Sequence, residues 1–291
     1  MFKKNSEISI NFCPTGMIPT KKMSNYVPIT INEIVEDVHA AVEIGITMVH
    51  LHARDEKSGV PVWQKHTYEK IISGISRFSK ELIICVTTSG RSFNSFEKRS
   101  EVLNIDGDLK PDMASLTLSS LNFNSVASVN TPDMIKSLIN KMTEKGIAPE
   151  LEVFDVGMIN YIKYLERKGL ITPPFYVNLL LGNISCAQAN LMHAGLMVND
   201  LPPNTYWGFS GIGKSQMMMN SIGIAMGSGI RIGLEDNIWY DHKRTKLATN
   251  SELIKRAHVL LEANEKTVIS PRKMRSLLNL NLGNGSYGRK I

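Results

Sequence analysis

The chain has 291 residues, 43% hydrophobic and 21% charged, with 33 Lys and Arg against 27 Asp and Glu for a net charge of +6. That length allows one large α/β barrel or two ordinary domains. No apolar run approaches the roughly 20 residues a bilayer span needs, and the basic residues are dispersed, which argues against a dedicated nucleic-acid binder. Cys13, Cys85 and Cys186 are scattered and odd in number. They speak against a disulfide framework and for a reducing cytoplasm. The basic start, Met-Phe-Lys-Lys-Asn-Ser, leads into no signal-peptide core or cleavage site.

Apolar runs of strand length alternate with amphipathic runs of helix length, the pattern of βα units. The first strand is expected over Ile8–Cys13 and its helix over Ile31–Val42, opened by a capping box of Thr30 and Glu33. Thr47–His52 and Leu82–Thr87 follow as strands, with helices near Thr67–Ser79 and Phe96–Leu103. Met113–Leu118 is the fourth strand. Thr131 then caps a helix over Pro132–Lys145 that has proline at its favoured first position and stops at Gly146. Glu150–Phe154 leads into a helix closed at Gly169 by a left-handed cap, and Phe175–Leu181 into one over Gln188–Val198. The last two units pair Thr205–Phe209 with Lys214–Met226 and Ile230–Leu234 with Ser251–Ala263.

Eight such units predict a single (β/α)₈ TIM-barrel domain; a doubly wound open sheet rarely needs eight regular units. A short C-terminal extension from about residue 270 holds a helix over Pro271–Leu277 and a polar tail. Such tails often fray or reach a neighbouring subunit.

In barrel enzymes the catalytic groups gather at the C-terminal ends of the strands. Here those ends read Thr15-Gly16, His50-Leu51-His52, Thr87-Thr88-Ser89-Gly90, Ser119-Ser120-Leu121-Asn122, Asp155, Gly182-Asn183, Gly211-Ile212-Gly213 and Glu235-Asp236-Asn237. Two histidines two apart on a strand point the same way, with Cα atoms about 7 Å apart, so both imidazoles can meet one ion. On the eighth strand, alternation sets Arg231, Gly233 and Glu235 on one face and Ile230, Ile232 and Leu234 on the other. The apolar set faces helices, which turns Arg231 and Glu235 into the barrel. A buried arginine needs a partner, and Glu152 on the fifth strand is a candidate. Glu235 then completes a His₂-carboxylate metal set with His50 and His52, leaving coordination positions open as in a catalytic zinc site. Asp236, positioned by Arg231, is placed to act as a base. A structural Arg–Glu pair inside the barrel is the plain alternative for Arg231.

Gly208-Phe-Ser-Gly-Ile-Gly213-Lys214-Ser215 matches the phosphate-loop pattern, yet such a loop normally follows a domain's first strand, and only 76 residues follow Ser215. Its glycine-rich turn can still meet a phosphate through backbone N–H groups. The other five histidines read as surface or packing residues, and the Met217-Met218-Met219 run as core filler.

Together, Val49-His-Leu-His-Ala-Arg-Asp55, Thr87-Thr-Ser-Gly90, Ser119-Ser-Leu-Asn-Phe123, Pro149-Glu-Leu-Glu-Val-Phe-Asp155, Gly211-Ile-Gly213 and Arg231-Ile-Gly-Leu-Glu-Asp-Asn237 make the chain resemble the β-keto acid cleavage enzymes. The resemblance runs from Ile10 to about Leu280. It implies a (β/α)₈ barrel, often tetrameric, holding one divalent metal, usually zinc. The implied reaction condenses a β-keto acid with acetyl-CoA to give acetoacetate and a new acyl-CoA. Carried over by motif, His50, His52 and Glu235 hold the metal, and Asp236 is the base, with Arg231 and Glu152 beside it. Thr15, Thr87, Ser89, Gly90, Ser120 and Asn122 are expected at the substrate, Thr87 and Ser120 standing where the family has hydroxyls. Gly211, Gly213, Lys214 and Gln216 would meet coenzyme A, Lys214 at a phosphate. One departure stands out. The aminohexanoate-cleaving members carry an acid after the first strand, whereas Thr15-Gly-Met-Ile-Pro-Thr20 is uncharged; a neutral, apolar or differently charged substrate is expected in place of an ammonium. A metal-dependent aldolase or lyase that does not use CoA is the competing reading.

Overall fold

A computed structural model describes residues 6–227 and 229–290. Eight parallel strands close into a barrel: Ile10–Phe12, Met48–Leu51, Ile83–Val86, Met113–Thr117, Ala148–Val153, Phe175–Leu181, Thr205–Gly211 and Gly229–Ile232. Each strand hydrogen-bonds to its neighbours in sequence, and the eighth closes on the first through Ile230, Arg231 and Ile232 beside Ile10, Asn11 and Phe12. This is the (β/α)₈ fold expected. The connecting helices are α1 (Ile31–Ile44), α2 (Lys65–Ser76), α3 (Phe96–Ser100), α4 (Pro132–Glu144), α5 (Val156–Arg167), α6 (Leu191–Asp200), α7 (Gln216–Met226) and α8 (Asn250–Ala263); α9 (Pro271–Leu277) follows. No helix among the described residues is long and apolar enough to cross a membrane.

Local chemistry explains the helix starts. Thr30 accepts from the Glu33 amide at 3.1 Å while Glu33 accepts from the Thr30 amide at 3.0 Å, the reciprocal box read from the sequence. Burial would raise the Glu33 carboxyl, but Lys21 and the box amides draw it down to about 2. Thr249 and Glu252 make a second such box at α8. α6 starts three residues later than expected, at Leu191, because Asn190 is its cap and accepts from the His193 amide at 2.9 Å.

The outward face of each strand is apolar. Phe12, Val49, Leu51, Val86, Leu116, Val153, Leu179 and Ile230 lie in one core with helix residues such as Ile34, Val38, Ile72, Leu138 and Ile162. The barrel interior differs by depth. At its N-terminal end Met48, Ile83, Met113, Ala148 and Tyr176 form an apolar layer against Met274, Leu278 and Leu280. Above it come Asn11, Glu150 and Asn178, all fully buried.

α9 and the tail therefore cap the N-terminal end of the barrel instead of fraying or reaching away. Arg275 is completely buried and donates from Nη1 and Nη2 to the two Asp112 oxygens, both at 2.7 Å. Its remaining donors reach the carbonyls of Glu81, Leu82 and Asn281. Asp112 also accepts from the Gly288 and Ile84 amides. Breaking one side of such a buried, fully bonded pair costs about 3–5 kcal/mol. Arg275→Ala is accordingly expected to lower unfolding free energy by about that amount in urea titrations; a loss below about 1 kcal/mol would contradict the capping role.

Two rim hairpins were not foreseen. Ala53–Arg54 pairs with Pro61–Val62, and Leu121–Asn122 with Ala127–Ser128. The phosphate-loop pattern dissolves in three dimensions: Gly208 to Gly211 lie inside the seventh strand, paired with Asn178 to Leu181, and leave no loop to cradle a nucleotide. Met219 is buried as expected, but Met217 and Met218 face outward, exposed by 37% and 43%.

Candidate active site

The second strand ends at Leu51, and His52 follows it directly; both imidazoles point toward the barrel axis as alternation requires. Their Nε2 atoms stand 3.2 Å apart, and His52 Nε2 is 3.1 Å from Glu235 Oε1. These three lone-pair atoms lie within 4.8 Å of one another. Glu235 arrives by a route different from the one expected. The eighth strand ends at Ile232, and Gly233 turns the chain at φ +150°, where a Cβ would lie 2.0 Å from the Cys13 carbonyl. That turn, not continued strand alternation, aims Glu235 at the histidines.

Gly16 makes room for it. A Cβ on Gly16 would fall 2.2 Å from Glu235 Cγ. Asn250 holds the two loops together, accepting from the Leu234 amide and donating to the Pro14 carbonyl, each at 2.9 Å. Gly16→Ala is expected to weaken binding of a divalent ion about 10–100-fold, as loss of a ligand's support typically does. Equal zinc affinity in competition titrations of the two proteins would remove this role from Gly16.

Three carboxylates surround Arg231, which is 1% exposed. Its Nη2 lies 2.8 Å from Glu235 Oε1, its Nε 3.0 Å from Asp236 Oδ2 and its Nη1 3.7 Å from Glu152 Oε1. Ser210 donates to Asp236 Oδ2 at 2.7 Å, and Thr117 donates to Glu152 Oε2 at 2.7 Å. Burial pushes the Glu152 carboxyl up against the pull of Arg231. At Glu235 burial acts the same way, but Arg231 and both histidines override it and hold the group well below the usual carboxylate range.

Glu150, two residues before Glu152 on the same face, went unnoticed in the sequence. It is fully buried and accepts from His50 Nδ1 and Asn11 Nδ2, both at 2.6 Å, with the Cys85 thiol at 3.0 Å. The pairing fixes the His50 ring and leaves its Nε2 for another partner. Burial would raise the Glu150 carboxyl, yet His50 brings it down to about 2. For His50, burial disfavours the charged ring but Glu150 prevails and moves it up; burial of His52 moves that ring down.

A cavity of about 440 Å³ opens above these groups. His52, Glu235, Arg231, Asp236 and Glu152 line it, with Thr87 and Ser89 from the third strand's end and Gly213 from the seventh's. Met17, Ile18, Pro19 and Met23 form an apolar wall after the first strand. The remaining candidates fall elsewhere. Thr15 is fully buried, and Ser120 accepts the Asn130 amide at the hairpin base. Asn122 is exposed, with its carbonyl bound by Asn183 and Ser185. Gly90 packs against the Arg99 guanidinium. A Cβ on Gly211 would strike the Ser215 carbonyl at 2.3 Å, so that glycine shapes the turn into α7. Gln216 is buried and donates to the Gly233 carbonyl at 2.9 Å, supporting the Glu235 turn. Lys214 is exposed outside the lining, whereas Arg244 lines the cavity and places Nη2 3.6 Å from where a Cβ on Gly213 would sit. Arg91, Phe123 and Trp239, which no sequence motif marks as site residues, also stand in the lining.

Residues 7–280 match the profile of the beta-keto acid cleavage enzyme family. The chain belongs to that family. It is 31% identical over 267 residues to the 3-keto-5-aminohexanoate cleavage enzyme of Fusobacterium nucleatum, covering 91% of this chain and 95% of that one. It is 32% identical over 274 residues to the 3-oxoadipate:acetyl-CoA acetyltransferase of Cupriavidus necator, covering 93% and 94%. The structure of ObcA without ligand superposes with a TM-score of 0.75 at 20% identity, over 88% of this chain and 66% of that longer one, a likeness of fold.

Proposed function

We propose that this β-keto acid cleavage enzyme family member exchanges acyl groups between a β-keto acid and acetyl-CoA, releasing acetoacetate and a new acyl-CoA. The observation that carries this reading is the juxtaposition of a three-ligand metal-type set with a base held by an arginine: His52, Glu235, Asp236 and Arg231 line one cavity, and His50 Nε2 stands 3.2 Å behind His52 Nε2. His50 Nε2, His52 Nε2 and Glu235 fit a single zinc or other divalent ion: they converge, Glu150 occupies the far nitrogen of His50, and Glu235 Oε2 is buried with no hydrogen-bond partner among the described residues. Such an ion would supply Lewis acidity toward the keto and carboxylate oxygens of a substrate.

The chain's own groups account for the proton and the charge. Asp236, oriented by Ser210 and Arg231, takes a proton from C2 of the keto acid. The resulting carbanion attacks the thioester carbonyl and coenzyme A leaves as thiolate. That thiolate then attacks the original keto carbon, the bond from that carbon to C2 breaks, and Asp236 returns its proton to C2 of acetoacetate. Arg231 offers positive charge beside the carboxylates throughout. No nucleophilic side chain is required. Thr87 and Ser89 face the cavity as donors for the substrate; the Gly213 turn and Arg244 flank the side proposed for coenzyme A.

The uncharged Met17-Ile18 wall supports a substrate without an ammonium group. The assay mixes purified protein with a β-keto acid, with and without acetyl-CoA. Acetoacetate and a new acyl-CoA are expected only with the thioester; cleavage at the same rate without it would favour the aldolase reading. Leu191, Met192 and Leu196 on α6 are exposed by 73%, 79% and 53%, which supports self-association, with a tetramer as the proposed assembly. The three cysteines are free, which suits a cytoplasmic enzyme.

A further inference from the structure

Most buried or half-buried arginines of this protein have their charge accounted for. Arg54 donates to the carbonyls of Gly16, Pro19 and Gly59. Arg99 reaches Thr88, Val129 and Asn130. Arg231 and Arg275 face carboxylates.

Arg91 differs. Its backbone amide donates to Ser89 Oγ, but among the described residues its guanidinium has no hydrogen-bond or ion-pair partner. It lines the cavity and places Cζ over the Phe123 ring, 3.3 Å from the centroid. A guanidinium stacked on an aromatic face keeps its in-plane N–H fork free for a planar anion. Burial disfavours its charge, while Glu235, Glu152 and Asp236 act on it as opposite charges. Those carboxylates are already engaged by Arg231 and the histidines. The cavity thus holds an unsatisfied cation besides the groups that would take the keto acid's reacting end. Apolar side chains of Met17, Ile18 and Val126 line the same cavity and suit methylenes.

We infer that Arg91 receives a second anionic group, so that the preferred substrates are β-keto dicarboxylates. This rests on the acyl-exchange reading above, and the test separates the two. Two keto acids of equal length, 3-oxoadipate and 3-oxohexanoate, are compared with acetyl-CoA using the wild type, Arg91→Gln and Arg91→Lys. For the wild type, kcat/KM for the dicarboxylate is expected to exceed that for the monocarboxylate by at least tenfold. In Arg91→Gln that ratio should fall about 10–100-fold, the value of a charge-assisted hydrogen-bonded pair, mainly through KM for 3-oxoadipate. Arg91→Lys keeps the charge without the planar fork and should recover part of the ratio.

Equal wild-type kcat/KM for the two acids would overturn the inference. So would an equal loss on both acids in Arg91→Gln, which would place the reacting carboxylate at Arg91. A raised KM for acetyl-CoA with the ratio intact would also overturn it, by assigning Arg91 to a coenzyme phosphate. If neither acid reacts with acetyl-CoA, both the acyl-exchange reading and this inference fail. Turnover of both acids without the dicarboxylate preference leaves acyl exchange standing and removes the inference alone.

Discussion

Replacing His52 with alanine is expected to strip the purified protein of stoichiometric zinc or its substitute and to lower kcat/KM by about 10³, roughly 4 kcal/mol of transition-state stabilisation. The magnitude follows from what the side chain touches. His52 Nε2 lies between His50 Nε2 and Glu235 Oε1, and its removal leaves two ligands where an open catalytic site uses three. The barrel itself should survive. The outward strand core is apolar and separate from the histidines, and the Arg275–Asp112 pair caps the opposite end. Metal content by elemental analysis and unfolding midpoints by circular dichroism separate the two effects. Wild-type metal content in His52→Ala would remove His52 from the ligand set.

Asp236→Asn should behave differently: metal content unchanged, kcat down by about 10²–10⁴. Asp236 Oδ2 accepts from both Ser210 Oγ and Arg231 Nε, so the carboxylate is held in one orientation at the cavity floor. An amide retains the shape and loses the basicity. Deuterium exchange at C2 of the keto acid, measured without acetyl-CoA, reports on this step alone and should disappear above background. Exchange at the wild-type rate would assign the proton to another group, with Glu152, raised by its burial, the neighbouring carboxylate.

The barrel was legible because its signal is local. Eight apolar runs, each followed by an amphipathic helix, need no long-range information, and Thr30 and Glu33 announce α1 from four consecutive residues. The histidine pair was legible for the same reason, since alternation alone turns His50 and His52 together. Glu235 was named on an argument that only half applies: the strand stops at Ile232, and the aim depends on Gly233 and on the space left by Gly16, contacts across the barrel. For Arg231 the sequence offered Glu152, but Glu235 and Asp236 stand closer. Glu150 stayed hidden because it shares a face with Glu152, and only the stagger of neighbouring strands sets which one meets His50. Ser120 and Asn122 sat in a motif, yet the hairpin that follows directs Leu121 and Phe123 into the cavity instead. Arg91 could not be read at all without Phe123 beneath it.

Carbon labelling tests the central claim most directly. Purified enzyme is given an unlabelled β-keto acid and acetyl-CoA carrying ¹³C at the acetyl carbonyl, and the products are read by NMR. The account predicts label at C3 of acetoacetate and an unlabelled new acyl-CoA, one formed for each acetyl-CoA consumed. Unlabelled cleavage products with the labelled acetyl-CoA left intact would contradict it.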